Sequence, residues 1–272
     1  MRKILPALAV FAALLLPAAA QATSRMTHCL WLSQDGHYCS ALALRHNLFD
    51  LPTGRTIGCK SSPGKVDSRG ILGRHPQVAL TFDDGPSIYT ASFLKVLKQY
   101  HVPATFFLIG EQVYAKRNLV RQELAAGHIL GSHSWNHPML SRTKNLHAQF
   151  VDSQTALKAA TGYTPCFMRP PYGDWNLAVQ AEASKNKLEI INWDVDTRDW
   201  SRPGTNSIVR QALTNARNGS IILMHDGGGN RLQTLAALPQ IIKGLRRQGF
   251  KLVRVDKILN IKMRHQGLGA VR

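Results

Sequence analysis

From residue 76 onward the chain alternates short apolar runs with amphipathic stretches of helical length, and nothing else in it restricts the fold as much. "QVALTF" precedes "ASFLKVLKQY", "ATFFLIG" precedes "EQVYAKRNLVRQELAAG", and "HILGSH" leads to a helix expected through 143–160. The series continues with "CFMRPP" and a helix from about 175, then "LEIINWDV" and a helix near 206–217. "SIILMHD", a helix near 231–248 and "FKLVRV" close it. About seven strands alternating with helices imply a parallel sheet with helices outside. An open doubly wound sheet and a small, incomplete barrel both suit the length. No GxGxxG follows the first strand, so a dinucleotide fold loses support.

The chemically rich residues fall just after these strands. Asp83 and Asp84 follow the first, His133 and His137 the third, and Arg169 the fourth. Asp196 and Asp199 follow the fifth, and His225 the sixth. In parallel α/β folds the carboxyl ends of the strands share one face, and that face carries the site. Five segments distant in sequence are therefore expected to converge.

"GSHSWNHP" holds two histidines four apart, bracketed by Gly131 and Pro138, which argue for a strand end running into a turn. Two histidines and one carboxylate make a three-ligand set typical of catalytic zinc or a similar divalent ion. The competing reading, a core His133 and a surface His137, leaves the nearby acid pair and His225 unexplained. Asp84 is then the third ligand, and Asp83 the uncoordinated general base that takes a proton from the attacking water. His225 is the candidate acid, and a neighbouring carboxylate, for which Asp199 is chosen, favours its protonated form. Arg169, in the stiff "RPPY" loop, is placed to pair with Asp83. Tyr172 and Trp200 offer aromatic walls of the kind sugars lie against, although plain packing would also account for them.

Outside this region the chain reads differently. "MRKILPALAVFAALLLPAAAQA" has a basic start, an apolar centre and a small-x-small end, the pattern of a cleaved secretory signal over 1–22. Residues 23–75 look like an irregular extension and linker, 76–256 the main domain, and 257–272 a basic tail. No later segment is long and apolar enough for a stable membrane span. Export permits disulfides among Cys29, Cys39, Cys59 and Cys166, a bridge being expected within the extension, but four cysteines allow three full pairings. The formal net charge is +18. Such a charge draws a protein toward anionic partners, and for an exported protein an anionic cell-wall polymer fits better than nucleic acid, for which no recognition signature occurs.

Taken together, the ordered motifs resemble those of the polysaccharide deacetylases of carbohydrate esterase family 4. "TFDDGP" (81–86), "HSWNH" (133–137), "RPPY" (169–172), "DTRDW" (196–200) and the Leu223-x-His225 of "ILMHD" are similar to the five family motifs, in order. The resemblance implies a distorted (β/α)7-8 barrel and one divalent metal ion, usually Zn2+, with Co2+ an alternative, on Asp84, His133 and His137. It also implies Asp83 as base, His225 as acid, Arg169 as partner of Asp83 and Asp199 behind His225. Tyr172 matches the residue whose backbone amide helps hold the oxyanion, and Trp200 and Leu223 match apolar walls about the acetyl group. The implied reaction is removal of N-acetyl groups from N-acetylglucosamine units of an extracellular glycan, peptidoglycan first and chitin oligomers second. The expected protein is a monomer, secreted or associated with the cell envelope. An acetylxylan-type O-deacetylase and a non-catalytic wall-binding protein are the alternatives.

Overall fold

Strand β3 (Gln77–Gly85) is buried along almost its whole length, and its side chains alternate between two packed faces. Val78, Leu80 and Phe82 pack into the large cluster beneath the helices, while Ala79 belongs to a second cluster on the opposite face, toward which Thr81 and Asp83 alternate. Such a strand is covered on both sides, as in parallel sheets. The computed structural model describes residues 56–60, 62–71 and 75–265. The signal segment 1–22, much of the extension 23–75 with Cys29 and Cys39, and the end of the tail lie outside the described residues.

The other strands are β1 (Thr56–Cys59), β2 (Val66–Asp67), β4 (Thr105–Leu108), β5 (Ile129–Ser132), β6 (Phe167–Met168) and β7 (Glu189–Ile191). They are followed by β8 (Val195–Asp196), β9 (Ser220–His225), β10 (Lys251–Val253) and β11 (Met263–His265). The main sheet runs β2-β7-β6-β5-β4-β3-β9-β8, with β10 also beside β3, and every pairing is parallel. The helices are α1 (Thr90–Gln99), α2 (Gly110–Ala115), α3 (Arg117–Ala125), α4 (Leu146–Thr161), α5 (Leu177–Lys185), α6 (Thr205–Asn215), α7 (Leu232–Arg247) and α8 (Val255–Ile258). Among the described residues no helix is long and apolar enough to cross a membrane.

Strand order shows that the sheet curls. β7 and β8 stand near opposite edges, yet only residues 192–194 separate them. Four residue steps reach about 14 Å at most, so the two edges lie close together. An antiparallel bridge between Arg69 and Ser220, and the Gly70 N–H donating to Gly219 O at 2.7 Å, join the two sides. The result is a distorted, incompletely hydrogen-bonded barrel. Phe107, Ile129, Phe167, Ile191 and Ile221 fill its concave face, packed against Val255 and Ile258 of α8.

Two expectations change in detail. "LEIINWDV" forms two strands rather than one, because residues 192–194 carry the chain from one sheet edge to the other. The helix expected over 111–127 breaks at Lys116 (φ −128°, ψ 41°), where no glycine or proline marks it; α2 and α3 each pack against α4, and tertiary contact sets the break. The described parts of the extension and of the tail contain strands. β2 joins the sheet beside β7, and β1 pairs antiparallel with β11. Strands of two to four residues are too short to display a period in sequence.

Candidate active site and metal centre

Neighbouring strand residues point to opposite faces, yet Asp83 and Asp84 reach one site. The register of β3 against β4 slips between Asp83 and Gly85, and Asp84 adopts φ 70°. An extra residue in left-handed backbone is a bulge, which re-aims a side chain at a sheet rim, and aspartate tolerates that conformation better than most residues. A Cβ on Gly228 would stand 2.1 Å from an Asp84 carboxylate oxygen, so only glycine leaves the carboxylate this room.

His133 emerges from β5, and its backbone N–H donates to Leu108 O at 2.8 Å. Its Nδ1 lies 2.7 Å from the carbonyl oxygen of Arg169. A carbonyl only accepts, so Nδ1 carries the proton and Nε2 presents a lone pair. That Nε2 is 3.4 Å from Asp84 Oδ1, and His137 Nε2 is 3.2 Å from the same oxygen. His137 (φ 64°) is turned inward by the Ser134 turn, its N–H donating to Ser134 Oγ at 3.0 Å. Ligand atoms of Asp84, His133 and His137 all lie within 4.8 Å of one another. Asp84 Oδ1 is buried without a hydrogen-bond partner. Burial works against its charge, but positive charge at His133 and His137, or on a cation they share with it, holds the carboxyl well below the usual range. An ionised, unpartnered oxygen beside two imidazole nitrogens is a donor set that fits a divalent cation.

Beside this trio, Asp83 Oδ1 accepts from Arg169 at 2.8 Å, and its other oxygen is 3.9 Å from His133 Nε2. Arg169 is fully buried. It also donates to Thr81 Oγ1 (2.8 Å), Ile191 O (2.9 Å) and Asn192 O (3.0 Å), and its guanidinium lies 4.2 Å from the Phe107 ring centre.

His225 aligns with Asp83 across the β3–β9 pairing. Its Nδ1 is 2.7 Å from Asp199 Oδ1, its backbone N–H donates to Asp199 Oδ2 at 2.8 Å, and the Thr234 hydroxyl donates to the same oxygen at 2.9 Å. Burial disfavours the imidazolium, but Asp199, aided by Asp83 and Asp84, more than offsets it and raises the pKa to about 9. Around these groups, the Tyr172 ring meets His137 edge-on at 4.7 Å, Trp200 is half-exposed, and Leu223 lies two residues before His225 on the same side of β9. Asp196 stays apart, capping a turn through the Arg198 N–H at 2.7 Å.

Comparison with known proteins shows the family. The family model described as polysaccharide deacetylase matches residues 73–191. A chitooligosaccharide deacetylase from Bradyrhizobium sp. is 40% identical over 190 residues, covering 64% of this chain and 87% of that protein. The chain belongs to the polysaccharide deacetylase family. The peptidoglycan-N-acetylglucosamine deacetylase PgdA of Listeria monocytogenes is also 40% identical over 190 residues, but the match spans 69% of this chain and only 40% of that relative. Among solved structures, the Bc1960 peptidoglycan N-acetylglucosamine deacetylase superposes with a TM-score of 0.69 at 34% identity, covering 73% of this chain and 94% of that one.

Three residues of this polysaccharide deacetylase belong to the site's support and escape sequence reasoning. Thr81 and Thr234 anchor Arg169 and Asp199. Asp226 is fully buried behind the Asp84 bulge, one carboxylate oxygen accepting from the Thr90 hydroxyl and the other without a partner. Its position directly after His225 was the available signal; the threonines offered none.

Proposed function

We propose that this protein hydrolyses the N-acetyl group of N-acetylglucosamine units in peptidoglycan, with chitin oligomers as the second substrate, releasing acetate and a free amine. The carrying observation is the Asp84–His133–His137 trio flanked by one free carboxylate and one carboxylate-backed histidine. Asp84, His133 and His137 would hold the ion, Zn2+ or failing that Co2+, which supplies an acidified water and polarises the carbonyl. Asp83 accepts the water's proton while Arg169 fixes its orientation. The backbone amide of Tyr172 helps hold the oxyanion, and Trp200 and Leu223 wall the acetyl group. His225 passes its proton to the departing nitrogen, and Asp199 holds the imidazole by Nδ1.

The relatives' named substrates favour an N-acetylglucosamine-containing glycan, and the +18 charge suits an anionic polymer of the envelope, for a protein proposed to be secreted or envelope-associated and monomeric. Acetate release from purified peptidoglycan, chitin oligomers and acetylxylan, with and without a chelator, tests this reading. Release from acetylxylan alone would make it an O-deacetylase. Glycan binding with no acetate after zinc or cobalt is restored would make it a binding protein. Asp84→Ala, His133→Ala and His137→Ala are each expected to lose bound metal and acetate release together, measured by elemental analysis beside the assay.

His225 must be protonated to act, so kcat/KM falls as pH rises through its pKa. Asp199→Asn removes the carboxylate that raises this pKa and is expected to move the alkaline limb to lower pH by about one unit or more. An alkaline limb that stays in place in the variant contradicts the pairing's role.

A further inference from the structure

The cavity beside Asp84 has a volume of about 490 Å3, within the range of ~300–1,000 Å3 usual for ligand sites. Ser87, Tyr89, Gln112 and Asn230 line it, and Lys116 is the one cation among its lining residues. Lys116 stands at the break between α2 and α3, half-buried, with its ammonium donating to Gln112 Oε1. None of the ion pairs among the described residues involves Lys116. A neutral amide thus holds the cation at the cavity wall, and no carboxylate among the described residues forms an ion pair with it. The Tyr172 ring stands against His137 and the cavity adjoins Asp84, so a glycan that lies over Asp84 and runs away from Tyr172 would enter it.

We infer that Lys116 is a specificity-determining residue that binds a carboxylate on the sugar adjoining the one deacetylated. This rests on the proposed deacetylation. It separates a glycan whose alternate sugars bear free lactyl carboxylates, as in peptidoglycan strands freed of their peptides, from an uncharged N-acetylglucosamine oligomer. The charge is complementary, and Gln112 reduces the freedom the lysine loses on binding.

The test compares a peptidoglycan-derived tetrasaccharide bearing free lactyl carboxylates with its methyl ester. The wild-type protein is expected to favour the acid over the ester in kcat/KM by about five- to tenfold, mostly through KM. In Lys116→Gln that ratio is expected to fall to near one, in Lys116→Glu to invert, and in Lys116→Arg to persist. An unchanged ratio in Lys116→Gln overturns the assignment even if acetate release is normal. Calorimetric binding of both sugars to the same proteins keeps the two readings apart. A Lys116-dependent preference for the acid without any acetate release supports Lys116 and defeats the deacetylase reading; equal binding of acid and ester by the wild type defeats Lys116.

Discussion

Asp83→Asn protein is expected to keep its divalent ion and lose its turnover. The substitution preserves shape but removes the carboxylate proposed to take the water's proton, and general-base assistance contributes ~10²–10⁴-fold. The structure adds a cost in stability, since Arg169 is fully buried and loses its counter-charge. An asparagine oxygen can still accept from the guanidinium, so this variant is expected to be less destabilised than Asp83→Ala. Metal content and single-turnover acetate release, measured below the melting temperature, separate the two effects. If Asp83→Asn emptied the metal site while Asp84→Asn did not, the two carboxylates' roles would be reversed.

Arg169→Met has the largest expected effect on the fold. It strands Asp83 as a buried carboxylate and leaves Ile191 O and Asn192 O without their donor. Breaking a buried pair from one side costs about 3–5 kcal/mol, which for a domain of this size lowers Tm by roughly 6–20 °C. Turnover falls as well, because Asp83 loses the contact that aims it. Arg169→Lys is expected to recover little, since one ammonium cannot reproduce a fork bonded in several directions. A melting curve within a few degrees of the wild type, with activity intact, would show that Arg169 merely fills space.

The strand-end rule made much of this legible. Apolar runs followed by amphipathic segments specified parallel strands, and acids and histidines at the carboxyl ends of those runs marked the face where five segments meet. The choice between open sheet and barrel was not legible from the pattern, because it depends on which edges approach each other; the family resemblance implied the barrel that is found. Nor does sequence show the slip at Asp84, the break at Lys116 or the split of "LEIINWDV", each being set by packing between distant segments. Thr234 lies 35 positions from the Asp199 it supports, on a helix whose sequence says only that it is amphipathic.

Residues 192–194, which tie one sheet edge to the other, bear on how a long polymer is received. Walls leashed by so short a strap cannot swing apart like jaws, so the chemistry sits in a fixed trough rather than behind a hinge. Adaptation to a new polymer is therefore expected to fall to side chains along the rim, while the proposed proton-handling centre stays as it is.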